Sequence, residues 1–457
     1  MPTSRRHFLA LTGAALAAGC AGGPFMNELP PIVFVHGNGD TASIWQSTIW
    51  RFESNGWPRE RLHAIDVPYP LARDDDTKPQ PGRTSAAEHM AYLKAEVEKV
   101  LQATGARQVV LVGNSRGGLA IRNYIQNGGG DRTVSHAVLG GVPNHGIWNV
   151  PGRNPGSEFA GNGPFVQALN APKNANGDEV AGPVKWLTLR SDNNDKYAQP
   201  HGRWIGAPDL QTNITFAAPE LKGATNIVLP RADHREVSFS PAAFAATWRF
   251  ITGRDPATLA VVQEDRVQLS GKVSGLGVSS TDAASGNFAN NLPLPGARLE
   301  IFATDAGTGE RRGPAAHTQA IAADGRWGPF TAQRGVPYEF VLSAPGYATT
   351  HIYRSPFPRS STVLNLRPER IAAADQGAPA VVTLTRPRGY LDPDRDRMAF
   401  DGQAPPPGAL PGAGVSSSKI KPAGAPRTVV AEFNGERIAG RSWPAAEGHV
   451  SVLELTY

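Results

Sequence analysis

The stretch Val109-Val110-Leu111-Val112-Gly113-Asn114-Ser115-Arg116-Gly117-Gly118 decides the fold. Its apolar, mostly β-branched start reads as a buried strand, and Leu119 to Gln126 reads as a helix beyond the glycines. Between them stands Ser115, with a glycine two places before it and another two places after. A serine on so sharp a strand-to-helix turn presents its hydroxyl, and Cβ atoms at 113 and 117 would collide with neighbouring backbone. This is the pattern of a nucleophile elbow. A bare G-x-S-x-G string also arises in ordinary turns, so the flanking strand and helix give it its weight.

Upstream, Pro31-Ile32-Val33-Phe34-Val35 reads as a second buried strand and runs into His36-Gly37-Asn38-Gly39-Asp40. Acyl transfer develops negative charge on a carbonyl oxygen and needs two preorganised backbone N–H donors, one following the nucleophile and one from an early loop. By position those donors are Arg116 and Asn38. His36 reads as an ordering residue whose imidazole bonds loop backbone, not as a catalytic base.

The base belongs on the loop after a late strand. Asn226-Ile227-Val228-Leu229-Pro230 is such a strand, followed by Arg231-Ala232-Asp233-His234, and His234 is the candidate. His136 and His145 lie too near the serine in sequence to come from that loop, and His145 is expected to shape the wall of the site. The acid is expected in the loop after Val184-Lys185-Trp186-Leu187-Thr188-Leu189, where Asp195 and Asp192 both qualify. Asp195 is preferred because it lies further into the loop, with room to turn toward the imidazole. The other aspartate would then cap the loop through backbone amides.

These residues resemble the α/β-hydrolase superfamily, and within it the serine lipases and esterases, over about residues 30 to 254. The resemblance implies Ser115 as nucleophile, Asp195 or Asp192 as acid, His234 as base, and the Asn38 and Arg116 amides as oxyanion donors. The alternation of strand, helix and strand along this stretch implies a mostly parallel sheet with helices on both faces. Further along, Tyr338-Glu339-Phe340, the stretch from His351 to Arg359 and Arg367-Pro368-Glu369-Arg370 loosely resemble the C-terminal β-domain of an archaeal long-chain lipase type. The chain departs from that type in having no aspartate from His136 to Gly141, so the acid must come from the later loop.

Residues 1–29 carry a separate message. Ser4-Arg5-Arg6-His7-Phe8-Leu9 is a twin-arginine export signature, and the apolar run from Leu9 to Ala18 is too short to span a membrane. Leu16-Ala17-Ala18-Gly19-Cys20 is similar to a bacterial lipobox, which makes Cys20 the lipidation candidate; cleavage by an ordinary signal peptidase is the alternative. Three locations follow from these signals: periplasmic, membrane-anchored or secreted. Cys20 is the only cysteine, so neither an internal disulfide nor a cysteine-ligated metal is possible. The formal charge is +5, and removing Arg5 and Arg6 with the leader leaves +3. Without a basic stripe interleaved with aromatics, nucleic acid is not a partner. No cofactor motif and no zinc-ligand spacing occurs. Asp392-Pro393-Asp394-Arg395-Asp396 looks like the start of a calcium loop but lacks the turn glycine, and an exposed turn is the better account.

Ser85-Ala86-Ala87-Glu88 is a capping box opening a helix to about Thr104, where Gly105 ends it. Trp148 to Gly182 breaks the strand and helix rhythm, and reads equally as a lid or as a surface loop. Arg254-Asp255-Pro256 marks a boundary. Beyond it, alternating apolar and polar runs between Gly, Asp and Pro turns indicate an all-β module, sandwich or barrel. Two parts are expected there, 255–371 and 372–457, after a catalytic domain spanning 30–254. The expected activity is that of an exported serine carboxylic ester hydrolase working through an acyl-serine on an ester, lipid or polyester. Amidase or thioesterase chemistry would use the same parts. The rival from another class is a surface binding protein that keeps the hydrolase scaffold without catalysis.

Overall fold

The computed structural model describes residues 29–457 except 200–202, 205, 206 and 413. The twin-arginine stretch and Cys20 lie outside the described residues.

The first half is built on strands β1 (Ile32–Val35), β2 (Leu62–Ile65), β3 (Val109–Asn114), β4 (Val134–Gly140), β5 (Lys185–Ser191) and β6 (Thr225–Leu229). They form one sheet in the order β2-β1-β3-β4-β5-β6, every neighbouring pair parallel. Such a sheet must be covered on both faces, which is why β1 and β3 read as unbroken apolar runs and are buried throughout. Successive residues of a strand point to opposite faces, and the two cores divide accordingly. Val33, Val35, Val109 and Leu111 pack with Leu93 and Val97 of α2 (Ala86–Thr104) and with Leu119 and Ile121 of α3 (Arg116–Asn127). Ile32, Phe34, Val110 and Val112 pack instead with Phe52 of α1 (Gln46–Ser54) and with Phe244 of a later helix at Pro241–Thr252.

The local signals that delimit these helices are present as chemistry. At α2, Glu88 N–H donates to Ser85 Oγ at 3.2 Å while Ser85 N–H donates to Glu88 Oε2 at 2.8 Å, so two orphan donors are satisfied reciprocally. Gly105 closes the helix in the left-handed region at φ 65°. The strand order reverses between β1 and β3, and at such a switch point the carboxyl ends of parallel strands leave a crevice. His36 follows β1 and Ser115 follows β3, so both stand at its mouth.

The second half is mainly strands in several sheets. Its largest sheet comprises β7 (Arg298–Ala303), β8 (His317–Ala320), β9 (Tyr338–Ser343), β10 (Thr349–Arg354), β11 (Val382–Thr385), β12 (Ser417–Ile420) and β13 (His449–Glu454). The order is β8-β7-β9-β10-β13-β11-β12, with β13 parallel to both of its neighbours. A division near residues 372–380 therefore does not separate two sheets, because this one sheet takes strands from both sides of it. Two cores lie in this half, one around Leu299, Phe340 and Ile352 and the other around Leu384, Phe400 and Leu453, and the second also takes Tyr353 from before that division.

Candidate active site

Ser115 caps the N-terminus of α3 with φ 51° and ψ −124°, a conformation that costs a non-glycine residue free energy. The flanking glycines make it possible. A Cβ at Gly117 would lie 2.5 Å from Val35 O and 2.6 Å from His36 O, and one at Gly113 would lie 2.6 Å from Ile121 Cδ1 and 2.9 Å from Gly118 N. Ser115 N–H is spent on Gly140 O at 3.0 Å. The amide of Arg116 is then the first of the helix, among the N–H groups that a helix leaves unsatisfied.

His234 lies on the loop after β6, and its Nδ1 is 2.8 Å from Asp195 Oδ1 and 3.0 Å from Oδ2. With a carboxylate at Nδ1, the imidazole carries its proton there and presents Nε2 as the basic nitrogen. Asp195 is itself fixed, since Oδ1 accepts from Tyr197 N–H and Ala198 N–H, both at 2.9 Å. Asp192 is turned to another task. Its Oδ1 accepts from Asn193 N–H at 2.8 Å and from Arg231 N–H at 3.1 Å, tying the acid loop to the turn before His234. Burial works against the ionised form of Asp192, but these amides outweigh it and hold the carboxyl below its ordinary value. From the elbow itself, Asn114 Nδ2 donates to His234 O at 3.2 Å and to Ser238 Oγ at 2.9 Å. The residue beside the serine thus braces the histidine.

Ser115, His234 and Asn38 line one cleft of about 510 Å³, together with Trp148, Tyr197 and Tyr390. Asn38 shapes the early loop by accepting Ala72 N–H on its side chain at 2.7 Å. His36 does not face the chemistry. Its Nδ1 donates to Gly37 O at 2.8 Å and its Nε2 accepts Val67 N–H at 3.1 Å, while burial keeps the ring neutral by pushing its pKa down.

His145 departs from the expectation that it shapes the wall of the site. It sits in a separate depression, with Nδ1 on Ala218 O at 2.5 Å and Nε2 on Glu179 Oε1 at 2.8 Å. Both partners offer acceptor oxygens, so the two contacts favour the doubly protonated ring. The Glu179 hydrogen bond, against burial, raises its pKa accordingly. The wall is made by Ile147 and Trp148 instead. Nearness to the elbow in sequence is not nearness in space.

Several contributors carry no motif. The Arg116 guanidinium is buried, bonded to Glu158, to Pro70 O at 3.0 Å and to Thr84 O at 2.5 Å. It fastens the 148–161 segment to the elbow. From the far end of the chain, Arg395 Nη1 meets Glu236 Oε2 at 2.5 Å and Nη2 meets Asp233 Oδ2 at 3.2 Å; Arg386 Nη2 meets Glu236 Oε1 at 2.7 Å. Tyr390 N–H adds a bond to Asp233 Oδ2 at 2.7 Å. These partners flank His234, so the loop that carries it is gripped by the terminal β-module. The Asp392–Asp396 turn, read from sequence as exposed, delivers Arg395 to that grip. Among the described residues no group of three or more His, Cys, Asp or Glu could hold a metal ion.

Residues 29–159 match the family model described as Lipase (class 2), and residues 265–371 match the Lipase C-terminal domain. Among solved structures, the mature Bacillus licheniformis lipase BlEst2 is 20% identical, covering 49% of this chain and 92% of that one, with a TM-score of 0.36. Its propeptide form is 15% identical over 68% of this chain and 89% of that one, with a TM-score of 0.37. Aspergillus fumigatus lipase B is 14% identical over 53% of this chain and 56% of that one, with a TM-score of 0.36. With one lipase model on the half that carries the elbow and another on the β-rich half, the chain belongs to the α/β-hydrolase lipases and esterases.

Proposed function

We propose that the protein is a serine carboxylic ester hydrolase with Ser115 as nucleophile, His234 as base and Asp195 as acid. The observation that carries this is the Asp195–His234 hydrogen bond at 2.8 Å, with His234 and Ser115 lining a single cleft. His234 Nε2 takes the Ser115 proton as Oγ attacks the ester carbonyl. The amides of Arg116 and Asn38 hold the oxyanion. The imidazolium, stabilised by Asp195, then protonates the leaving alcohol, and water activated by the same imidazole hydrolyses the acyl-serine. A labelled fluorophosphonate should modify the protein once, on the peptide containing Ser115. Ser115→Ala and His234→Ala should each lower ester turnover by on the order of 10⁴-fold or more, and the double variant should be little worse because the residues act as a unit. Near-normal turnover by Ser115→Ala would overturn the assignment.

Export by the twin-arginine route and tethering through Cys20 belong to the same proposal, supported by Arg5-Arg6 and by the only thiol in the chain. One acyl chain binds membrane marginally, whereas multiple acylation gives stable anchoring. Cys20→Ser should release activity from the membrane fraction at unchanged specific activity. Wild-type protein found free with an unmodified N-terminus beyond Cys20 would leave the export signal alone standing.

A further inference from the structure

Six charged side chains line the cleft beside Ser115 and His234: Arg73, Arg83, Arg153, Arg235, Asp40 and Asp74. Three of the arginines have carboxylate partners. Arg235 Nη2 is 2.8 Å from Asp40 Oδ1, Arg83 Nη1 is 3.4 Å from Asp74 Oδ1, and Arg73 Nη2 is 2.7 Å from Glu88 Oε1. Arg153 differs from them, since no carboxylate among the described residues forms an ion pair with it. Its Nε is also buried without a hydrogen-bond partner, and the Nε of Arg73, in the same cleft, is in the same condition. A buried donor without an acceptor leaves its desolvation uncompensated, the more so for a charged group. An acceptor brought in by a ligand recovers that cost.

The unpaired cation is held in place. Arg153 Cζ lies 5.9 Å from the centroid of the Trp148 ring, and Trp148 Nε1 donates to Arg153 O at 3.1 Å. The segment around them is closed by Ile147 N–H on Phe159 O at 2.8 Å and Gly161 N–H on Trp148 O at 2.7 Å. The buried Arg116–Glu158 pair then fixes it to the elbow. A guanidinium stays charged at every working pH, and its planar fork matches the two oxygens of a carboxylate or phosphate.

We propose that Arg153 forms an anion subsite of the catalytic cleft, so that the preferred substrates are esters whose acyl or alcohol part carries a carboxylate or phosphate. This rests on the assignment of Ser115 made above. The test compares kcat/KM of the mature protein on matched esters. Mono-4-nitrophenyl glutarate against 4-nitrophenyl valerate reads an anion on the acyl side. 4-Butanoyloxybenzoate and 4-butanoyloxyphenyl phosphate, each against phenyl butyrate, read the alcohol side and separate carboxylate from phosphate. At least one anionic ester should exceed its neutral match by about tenfold, and Arg153→Gln should lower that ratio by about the same factor, which is about 1.4 kcal/mol. Raising NaCl from about 0.05 to about 0.5 M should also lower the wild-type ratio, because the Debye length contracts severalfold. Ratios at or below one for all three anionic esters would overturn the subsite, as would a ratio unchanged by Arg153→Gln. Should that variant fail to fold, a wild-type ratio indifferent to salt would overturn it. If neutral and anionic esters are all left intact and the fluorophosphonate does not label Ser115, the hydrolase assignment falls, and the subsite with it.

Discussion

Asp192 and Asp195 stand three positions apart in one loop and do different work. Asp195 faces Nδ1 of His234, while Asp192 accepts amides from Asn193 and Arg231. Asp195→Asn should therefore cost on the order of 10⁴-fold in kcat, because an amide there favours the wrong imidazole tautomer. Asp192→Asn keeps one acceptor oxygen and should cost less than about tenfold, through a looser acid loop. Steady-state kinetics on one chromogenic ester decides it; the reverse ranking would exchange the two roles. The loop position alone pointed to Asp195, because a carboxylate at the end of a strand is close to spoken for by the backbone that follows. The same local logic made Ser115 and His36 legible: sterics of neighbouring residues and hydrogen bonds to adjacent backbone are written within a few positions of the side chain concerned.

The segment from Trp148 to Gly182 left its role open in the sequence because it has little periodicity, and its first part, to Gly161, now has one. In the fold it is a fixed wall, with Glu158 buried against Arg116 and Trp148 and Phe159 lining the cleft. Burial raises the Glu158 carboxyl from its ordinary value, and the adjacent guanidinium opposes that rise. Glu158→Ala would leave Arg116 charged and uncompensated in the interior, which is expected to cost about 3–5 kcal/mol. Urea unfolding of the variant measures it, and a loss below about 1 kcal/mol would mean that the pair is not holding the wall. Nothing in the sequence joins positions 116 and 158, since the elbow motif fixes no partner for the Arg116 side chain and Glu158 stands in no motif. Helix α2 shows the opposite case, with its capping box and terminal glycine all within the element they delimit.

On the proposed assignment of His234, the terminal β-module bears on the catalytic site through the loop that carries the base. Asp233, buried, and Glu236, half-buried, bracket His234, and Arg386 and Arg395 pair with both carboxylates across the boundary between the halves. Arg395→Gln should leave those carboxylates under-compensated and displace the His234 loop. The expected result is a fall in kcat of about ten- to a hundredfold with KM within about threefold, and slower labelling by fluorophosphonate. Removal of residues 372–457 should abolish both, even where the remaining chain stays in solution. Full activity in the shortened chain would show that the grip is dispensable. The all-β texture of this region was legible from its alternation, but its bearing on the histidine was not, because a contact between distant positions leaves no periodic trace in either partner.

That grip also sets a schedule. Glu236 and Arg386 are separated by 150 positions in the chain. At about 5–20 residues per second of synthesis, the ribosome needs on the order of ten seconds to make the second after the first. During that interval the N-terminal half can collapse around its parallel sheet while the turn bearing His234 still lacks its counter-ions. On the assignment of His234 as base, a newborn chain would hold the hydrolase scaffold with its base unmoored, and would become competent only when nearly all of the polypeptide has been produced.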